Sequence, residues 1–307
     1  LKILVVGAGA VGGYFGGRLA KAGQDVTFLV RSGRADLLRR DGLQIFSPHG
    51  DITVPPKLIL AHEISTPYDV ILLSVKAYGL DAAMNDFAPA VGPDTTIFPM
   101  LNGMRHLERL SARFGEQAVI GGVCRVSAEI DPDGRIIQLT DVQKLTYGER
   151  QGGLTDRIEL LNQTLQGAGF EANLSENILQ DMWEKWAMLA SLGAITCLFR
   201  GTVGEVQAAP GGNELALKIL AECAAISTAA GYPPTERSGG WTRSMVANPG
   251  SNLTSSMYRD MMAGGPIEAD HILGDLLDRG RSYGLELPLL EAAYVHLSVY
   301  QARLKPQ

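Results

Sequence analysis

The sequence predicts a doubly wound parallel α/β domain followed by an all-helical domain. Three observations carry that expectation. An apolar run at the start, "LKILVV", leads straight into a glycine-rich turn, "GAGAVGG". Short β-branched runs then alternate with helix-like stretches. From residue 175 onward strand signals fade, and long apolar patterns of helical period replace them. The expected domains are therefore residues 1–174 and residues 175–307.

The elements follow in order. "LKILVV", "DVTFLV", "YDVILLSV" and "TTIFPM" are short, bounded and rich in β-branched residues, as strands buried on both faces are. Between the first two a helix opens at Val11 and ends near Gly23, where glycine suits a C-terminal cap. "AVIGGVCRVSA" reads as a further strand. "DPDG" turns the chain into "RIIQLT" and "KLTYGE", read as two strands of an antiparallel extension. A helix over residues 154–165 closes this half. In the second half "ENILQDMWEKWAMLASLGAITCLF", "ELALKILAECAAISTAA", "IEADHILGDLLDRGRSYG" and "LLEAAYVHLSVYQARL" read as helices. Glycine and proline clusters near 210, 232 and 249 mark the loops between them.

Composition narrows the function. A chain of 307 residues with 46% apolar and 20% charged residues suits a globular protein of two domains. A net charge of -6 argues against a nucleic-acid partner, which needs a basic face to meet phosphates. Cys124, Cys197 and Cys223 are far apart, with no CxxC pair, so buried thiols in a reducing compartment are expected. His49, His62, His106, His271 and His296 are scattered, so no structural metal is expected. The first residues lack the basic region and cleavage site of a signal peptide. The apolar run 186–199 is too short to cross a bilayer. A cytoplasmic protein without a membrane partner is expected.

G-x-G-x-x-G is weak alone, but here it follows a strand, opens a helix and precedes a second strand within about 30 residues. Gly7 permits the tight turn, Gly9 lets the backbone approach a pyrophosphate, and Gly12 allows helix and sheet to pack closely. Gly7, Ala8, Gly9, Ala10, Val11 and Gly12 are thus expected to bind the cofactor of a Rossmann-type domain. The end of the second strand reads "FLVRSGR", with Arg31, Ser32 and Arg34 where an NAD site usually has a carboxylate. A guanidinium can hold a 2′-phosphate, so Arg31 favours NADP. A solvated loop arginine is the alternative for both arginines and weighs more for Arg34, whose contact with the cofactor the sequence leaves open. A flavin or a methyl donor on the same loop is disfavoured by Arg31.

In the helical half Lys185 stands between two tryptophans at the entrance of a nearly apolar helix. An apolar wall favours a neutral amine and so suits a proton donor near neutral pH. On periodicity alone, however, a lysine there would snorkel to solvent. Glu268, in "GGPIEADHI", reads alone as a first-turn glutamate stabilised by the helix dipole.

The combination reads differently. "GAGAVG", Arg31, "SVKAY", "LNGM", "WEKW", "NLTSSM" and "PIEAD" occur in the order and approximate spacing of the ketopantoate reductase (2-dehydropantoate 2-reductase) family, and "YGLELP" resembles that family's closing segment. The resemblance covers essentially the whole chain. It implies NADPH-dependent reduction of a 2-oxo acid to a 2-hydroxy acid, in a cleft between a Rossmann domain and a helical domain. Pantothenate biosynthesis and a cytoplasmic homodimer are the implied setting. Carried over by motif, Lys185 would be the general acid, and Glu268 would orient it and contact the cofactor or the substrate hydroxyl. Ser256, with Ser255 beside it, would help bind the substrate carboxylate. Asn102 and Lys76 would contact the cofactor, with Asn102 also facing the substrate.

One departure concerns the substrate. Family members carry asparagines on the helix after the catalytic lysine and further along, whereas this chain has Leu189, Gly193 and Val203. Helical spacing puts Leu189 and Gly193 on the face of Lys185. The expected substrate wall is apolar and roomy at Gly193, which points away from ketopantoate and toward a bulkier or more apolar 2-oxo acid or ketone. A noncatalytic NADP-binding sensor is the alternative, disfavoured by retention of both Lys185 and Glu268.

Overall fold

A computed structural model describes residues 1–304. Its first unit comprises Leu1–Leu101 and His106–Ile178. Strands β1 (Lys2–Val6) and β2 (Asp25–Leu29) flank helix α1 (Ala10–Lys21), and α2 (Ser32–Asp41) follows. Then come β3 (Leu43–Phe46), β4 (Ile52–Val54), β5 (Lys57–Ile59), β6 (Val70–Leu73), α3 (Leu80–Phe87), β7 (Thr96–Pro99) and α4 (Arg105–Phe114). The unit closes with β8 (Gly121–Ile130), β9 (Ile136–Gly148), α5 (Asp156–Leu165) and β10 (Glu171–Leu174).

One sheet has the order β5-β2-β1-β6-β7 with every pairing parallel. Ile3, Leu4, Val5, Ile71, Leu72, Leu73, Ile97 and Phe98 are buried, as expected of a sheet covered on both faces. The chain runs outward from β1 in one direction to β2 and in the other to β6. The crevice beyond the C-terminal end of β1 is therefore a topological switch point, where open α/β sheets bind ligands. The parallel domain and the helices after it match the predicted fold class.

A second sheet was not foreseen as a separate layer. It has the order β10-β9-β3-β4, with β8 along the other side of β9. The stretch read as two strands, "RIIQLT" and "KLTYGE", is the single strand β9. The register against β8 jumps from Val126↔Gln143 to Ala128↔Gln138, so residues 139–142 of β9 bulge opposite one residue of β8, and Gln138 Nε2 braces the bulge by donating to Thr140 O (2.6 Å) and Val142 O (3.3 Å). Helix α1 packs against both sheets. A Cβ at Gly16 would lie 2.6 Å from Phe28, and one at Gly17 would lie 2.7 Å from Ile45.

The second unit comprises Asn102–Arg105 and Leu179–Gln307. Its helices are α6 (Ile178–Phe199, whose first residue belongs to the other unit), α7 (Val203–Ala208), α8 (Gly212–Ala229), α9 (Glu236–Val246), α10 (Ser256–Met262), α11 (Asp275–Ser282) and α12 (Pro288–Leu304). Loops fall at the glycine and proline clusters named above. Along α6, Trp186, Ala190, Ala194, Ile195 and Cys197 are buried, which accounts for its apolar composition on all sides. Glu222 of α8 accepts from Leu289 N (3.1 Å) and Leu290 N (2.8 Å), supplying the N-terminal cap of α12. The stretch read as one helix from Ile267 begins instead with a π-helical segment, Asp270–Gly274, that runs into α11.

All three cysteines are free and buried, and burial pushes the thiols of Cys197 to about 11 and Cys223 to about 12. Such thiols are inert packing groups. Among the described residues, no helix is long and apolar enough to cross a membrane.

Candidate functional site

The glycine turn sits where β1 ends. Gly7 has φ +95°, a conformation that side chains resist, and Gly7 N donates to Leu29 O at 3.2 Å. Ser74, just past β6, braces the turn: its hydroxyl lies 3.0 Å from both Val6 O and Gly7 O. A Cβ at Gly12 would collide with Ser74 Oγ and Gly7 O, so that glycine is required by packing. Gly9 is different. A Cβ there would meet no protein atom within 4 Å, so nothing inside the protein accounts for its lack of a side chain. Gly9 also caps α1 without any side-chain hydrogen bond, so the cap leaves the first N–H groups of the helix uncovered. A bare backbone, orphan donors and the positive end of a helix dipole fit a pyrophosphate.

Arg31 caps α2 and is exposed, as is Ser32. A carboxylate is absent from both positions, in keeping with an anion there. Arg34 is not the solvated loop arginine of the alternative reading. It is half-buried, donating from Nε to Ala8 O (3.2 Å) and from Nη1 to Gly134 O (2.8 Å). It ties the glycine turn to the β8–β9 hairpin, and burial lowers its pKa. Lys76 is exposed, in the segment that follows β6.

In the helical unit Lys185 is 8% exposed on α6. Its neighbour Trp186 donates from Nε1 to Ile272 O at 2.9 Å, which fastens α6 to the π-helical segment after Glu268. Trp183 and Trp186 lie 5.0 Å apart between ring centroids, and the Arg279 guanidinium sits 5.6 Å from the centre of Trp186. Asp275 holds Arg279 at 3.2 Å and Arg105 at 3.4 Å. Glu268 is half-buried, and its main-chain oxygen accepts from His271 N (3.2 Å) and Ile272 N (2.9 Å). Asn102 is half-buried as well, and its main-chain oxygen lies 2.5 Å from His271 Nε2. The bonds of Trp186 and His271 thus bring the Lys185 helix, the Glu268 segment and the Asn102 loop into one neighbourhood.

The substrate-wall positions diverge. Leu189 is half-buried, one turn beyond Lys185. Gly193 does not supply room: a Cβ there would lie 2.8 Å from the terminal methyl of Met257, which already fills that space. Val203 is fully buried at the start of α7 and belongs to the core. Ser255 turns inward, capping α10 by accepting from Tyr258 N (3.0 Å) and meeting Thr196 Oγ1 at 2.9 Å. Ser256, next to it, is exposed. Sequence reasoning missed Ser74, Met257 and the bond made by His271. Ser74 lies inside an apolar strand ending and Met257 in a short helix, so neither carries a local signal.

The sequence matches the family described as ketopantoate reductase PanE/ApbA over residues 3–152, and that family's C-terminal domain over residues 177–301. It is 36% identical to the uncharacterized oxidoreductase YkpB of Bacillus subtilis, over 98% of this chain and 99% of that one. A crystal structure of 2-dehydropantoate 2-reductase from Methylococcus capsulatus superposes with a TM-score of 0.88 at 28% identity, covering 100% of this chain and 99% of the other. D-mandelate dehydrogenase, solved with NADH and anilino(oxo)acetate, shares the fold at a TM-score of 0.88 and 19% identity, covering 100% of both chains.

Proposed function

Because the chain belongs to the ketopantoate reductase PanE/ApbA family, an oxidoreductase family, we propose that it reduces a 2-oxo acid to the 2-hydroxy acid with NADPH. The observation that carries this reading is Lys185, a lysine 8% exposed in an apolar helix and fastened through Trp186 to the segment after Glu268. A nicotinamide cofactor, when bound, supplies the hydride. The chain's own part is to hold and protonate. Gly7, Ala8, Gly9, Ala10, Val11 and Gly12 offer backbone N–H groups to the pyrophosphate, Arg31 pairs with the 2′-phosphate, and Lys76 and Asn102 add contacts to the cofactor. As the substrate carbonyl becomes an alkoxide, Lys185 Nζ stabilises the negative oxygen and gives it a proton. Glu268 orients the ammonium, and Ser256 with Asn102 receives the substrate's polar groups.

The substrate class follows from the wall beside Lys185. Leu189 and the methyl of Met257 over Gly193 present apolar surface where family members have amides. Ketopantoate would leave polar groups unpaired there, at about 1–3 kcal/mol each. A 2-oxo acid with a larger apolar side chain suits the wall better, because methionine is unbranched and yields easily to a ligand. The shared fold of D-mandelate dehydrogenase sets no bar to an aromatic substrate or to NADH, so Arg31 is what favours NADPH here. A cytoplasmic homodimer completes the proposal. Steady-state NADPH oxidation across a panel of 2-oxo acids tests it. Phenylpyruvate or a branched aliphatic 2-oxo acid should show a higher kcat/KM than ketopantoate, and ketopantoate ranking first would refute the apolar wall.

A further inference from the structure

The loop after β7 is fastened to the helical unit at both ends. Residues Asn102–Arg105 belong to that unit rather than to the unit of the strand they follow. At one end, His271 Nε2 lies 2.5 Å from Asn102 O. At the other, Arg105 reaches Asp275 at 3.4 Å and Asp278 at 3.3 Å. Between them Gly103, at φ +76°, lies flat against the histidine: a Cβ there would stand 3.0 Å from His271 O and 3.1 Å from two ring atoms. His271 is itself 8% exposed. It sits in the π-helical segment that begins two residues after Glu268, and Ile272, next in the chain, accepts from Trp186 Nε1. Widened π turns cost backbone regularity and are frequent at functional sites.

We propose that His271 is a positioning residue, which donates from Nε2–H to the Asn102 carbonyl and thereby sets where Asn102 stands relative to Glu268 and Lys185. The inference rests on the proposal above that these three residues serve one reduction. His271 need not touch substrate or cofactor. A main-chain carbonyl accepts only, so the ring must carry its proton on Nε2, leaving Nδ1 as the acceptor in the neutral form. The charged groups around the ring are Glu268 and Asp275, which favour its cation, and Arg105, which opposes it. Burial outweighs them and lowers its pKa, so the ring stays neutral at pH 7 as a fixed single donor.

Two variants separate donor from bulk. His271→Leu fills the space without a donor, and His271→Gln keeps an amide N–H at a similar reach. The full-length protein is assayed for NADPH-dependent reduction of phenylpyruvate and for amide hydrogen exchange of the peptide spanning residues 102–106. The leucine variant should lose roughly 10–100-fold in kcat, the scale of a small misplacement at a reacting centre, and its loop should exchange faster. The glutamine variant should restore both. A folded leucine variant with parental kcat and parental exchange overturns the proposal, as does a stable glutamine variant that restores neither. Should the leucine variant fail to fold, the glutamine variant decides, since an unprotected loop with parental kcat overturns the proposal. If the parent protein reduces no 2-oxo acid, the functional reading fails by itself and exchange still decides the fastening: faster exchange in the leucine variant upholds it, and unchanged exchange overturns it.

Discussion

At the glycine turn the chain strips side chains away and leaves backbone bare, whereas around Lys185 it packs side chains until the lysine is nearly covered. Gly9 meets no protein atom where its Cβ would be, while Lys185 is almost covered and its neighbour Trp186 is 1% exposed. The first arrangement depends on local backbone geometry, which a short run of residues can encode. The second depends on partners far away in the chain: Ile272 for Trp186, and Asn102 for His271. A glycine turn can therefore be recognised from its own residues, and the surroundings of a buried lysine only from what the fold brings to it.

The largest effect is expected at Lys185. Lys185→Ala should lower turnover by roughly 10²–10⁴-fold, the range for a lost general acid, while fluorescence titration finds NADPH affinity unchanged. A folded variant with parental turnover would leave the helical unit without its proposed catalytic group. Arg31→Asp should act on the other side alone. NADPH binding should weaken by about 1.5–3 kcal/mol, the worth of a hydrogen bond to a charged group, with NADH spared. Equal affinity of the parent protein for NADPH and NADH would remove Arg31 from the cofactor site.

Two glycines of the same turn should respond differently to alanine. Gly12→Ala forces a methyl into Ser74 and the Gly7 carbonyl, so it should destabilise the fold by about 1–3 kcal/mol, as overpacking does. Gly9→Ala meets nothing in the protein. It should leave the melting temperature unchanged and weaken NADPH binding. Loss of stability at Gly9, with affinity intact, would mean that the turn serves packing only.

The smallest effect concerns pH. The folded pKa of His271 lies below its ordinary value of 6.5, chiefly through burial. The unfolded chain therefore takes up a proton that the folded chain refuses, and stability falls as pH drops through about 6.5, levelling off below the folded pKa. His271→Gln should flatten part of that slope in melting temperature between neutral and mildly acidic pH. The remainder belongs in part to His296, whose pKa burial also lowers. An unaltered slope in the variant would mean that His271 titrates like a solvated ring.

Legibility followed the same division. β1, the glycine turn and α1 were readable because apolar run, glycine spacing and helix period coincide within Lys2–Lys21. β3, β4, β5 and β10 were not: each is three or four residues long without a longer β-branched run around it, and each becomes a strand by pairing, β3 and β10 with β9, β4 with β3, and β5 with β2. Helix α2, "SGRADLLRRD", is too polar to announce a buried face and keeps only Ala35 and Leu38 inside. At the site, residue type at Gly193 suggested space, but space is a property of neighbours, and Met257 occupies it. The role of Arg34 has no local signal, because the carbonyl it binds on the β8–β9 hairpin is 100 residues away.

In the proposed reaction the buried Lys185 on α6 completes a hydride transfer whose cofactor the glycine turn holds. Single-turnover mixing of NADPH-loaded protein with phenylpyruvate, parent against Lys185→Ala, tests it most directly. Nicotinamide absorbance should decay rapidly in the parent and roughly 10²–10⁴-fold more slowly in the variant at equal NADPH occupancy. NADPH bound tightly by the parent, with no decay on addition of phenylpyruvate, ketopantoate or any other 2-oxo acid, would contradict it and leave a binding protein in place of a reductase.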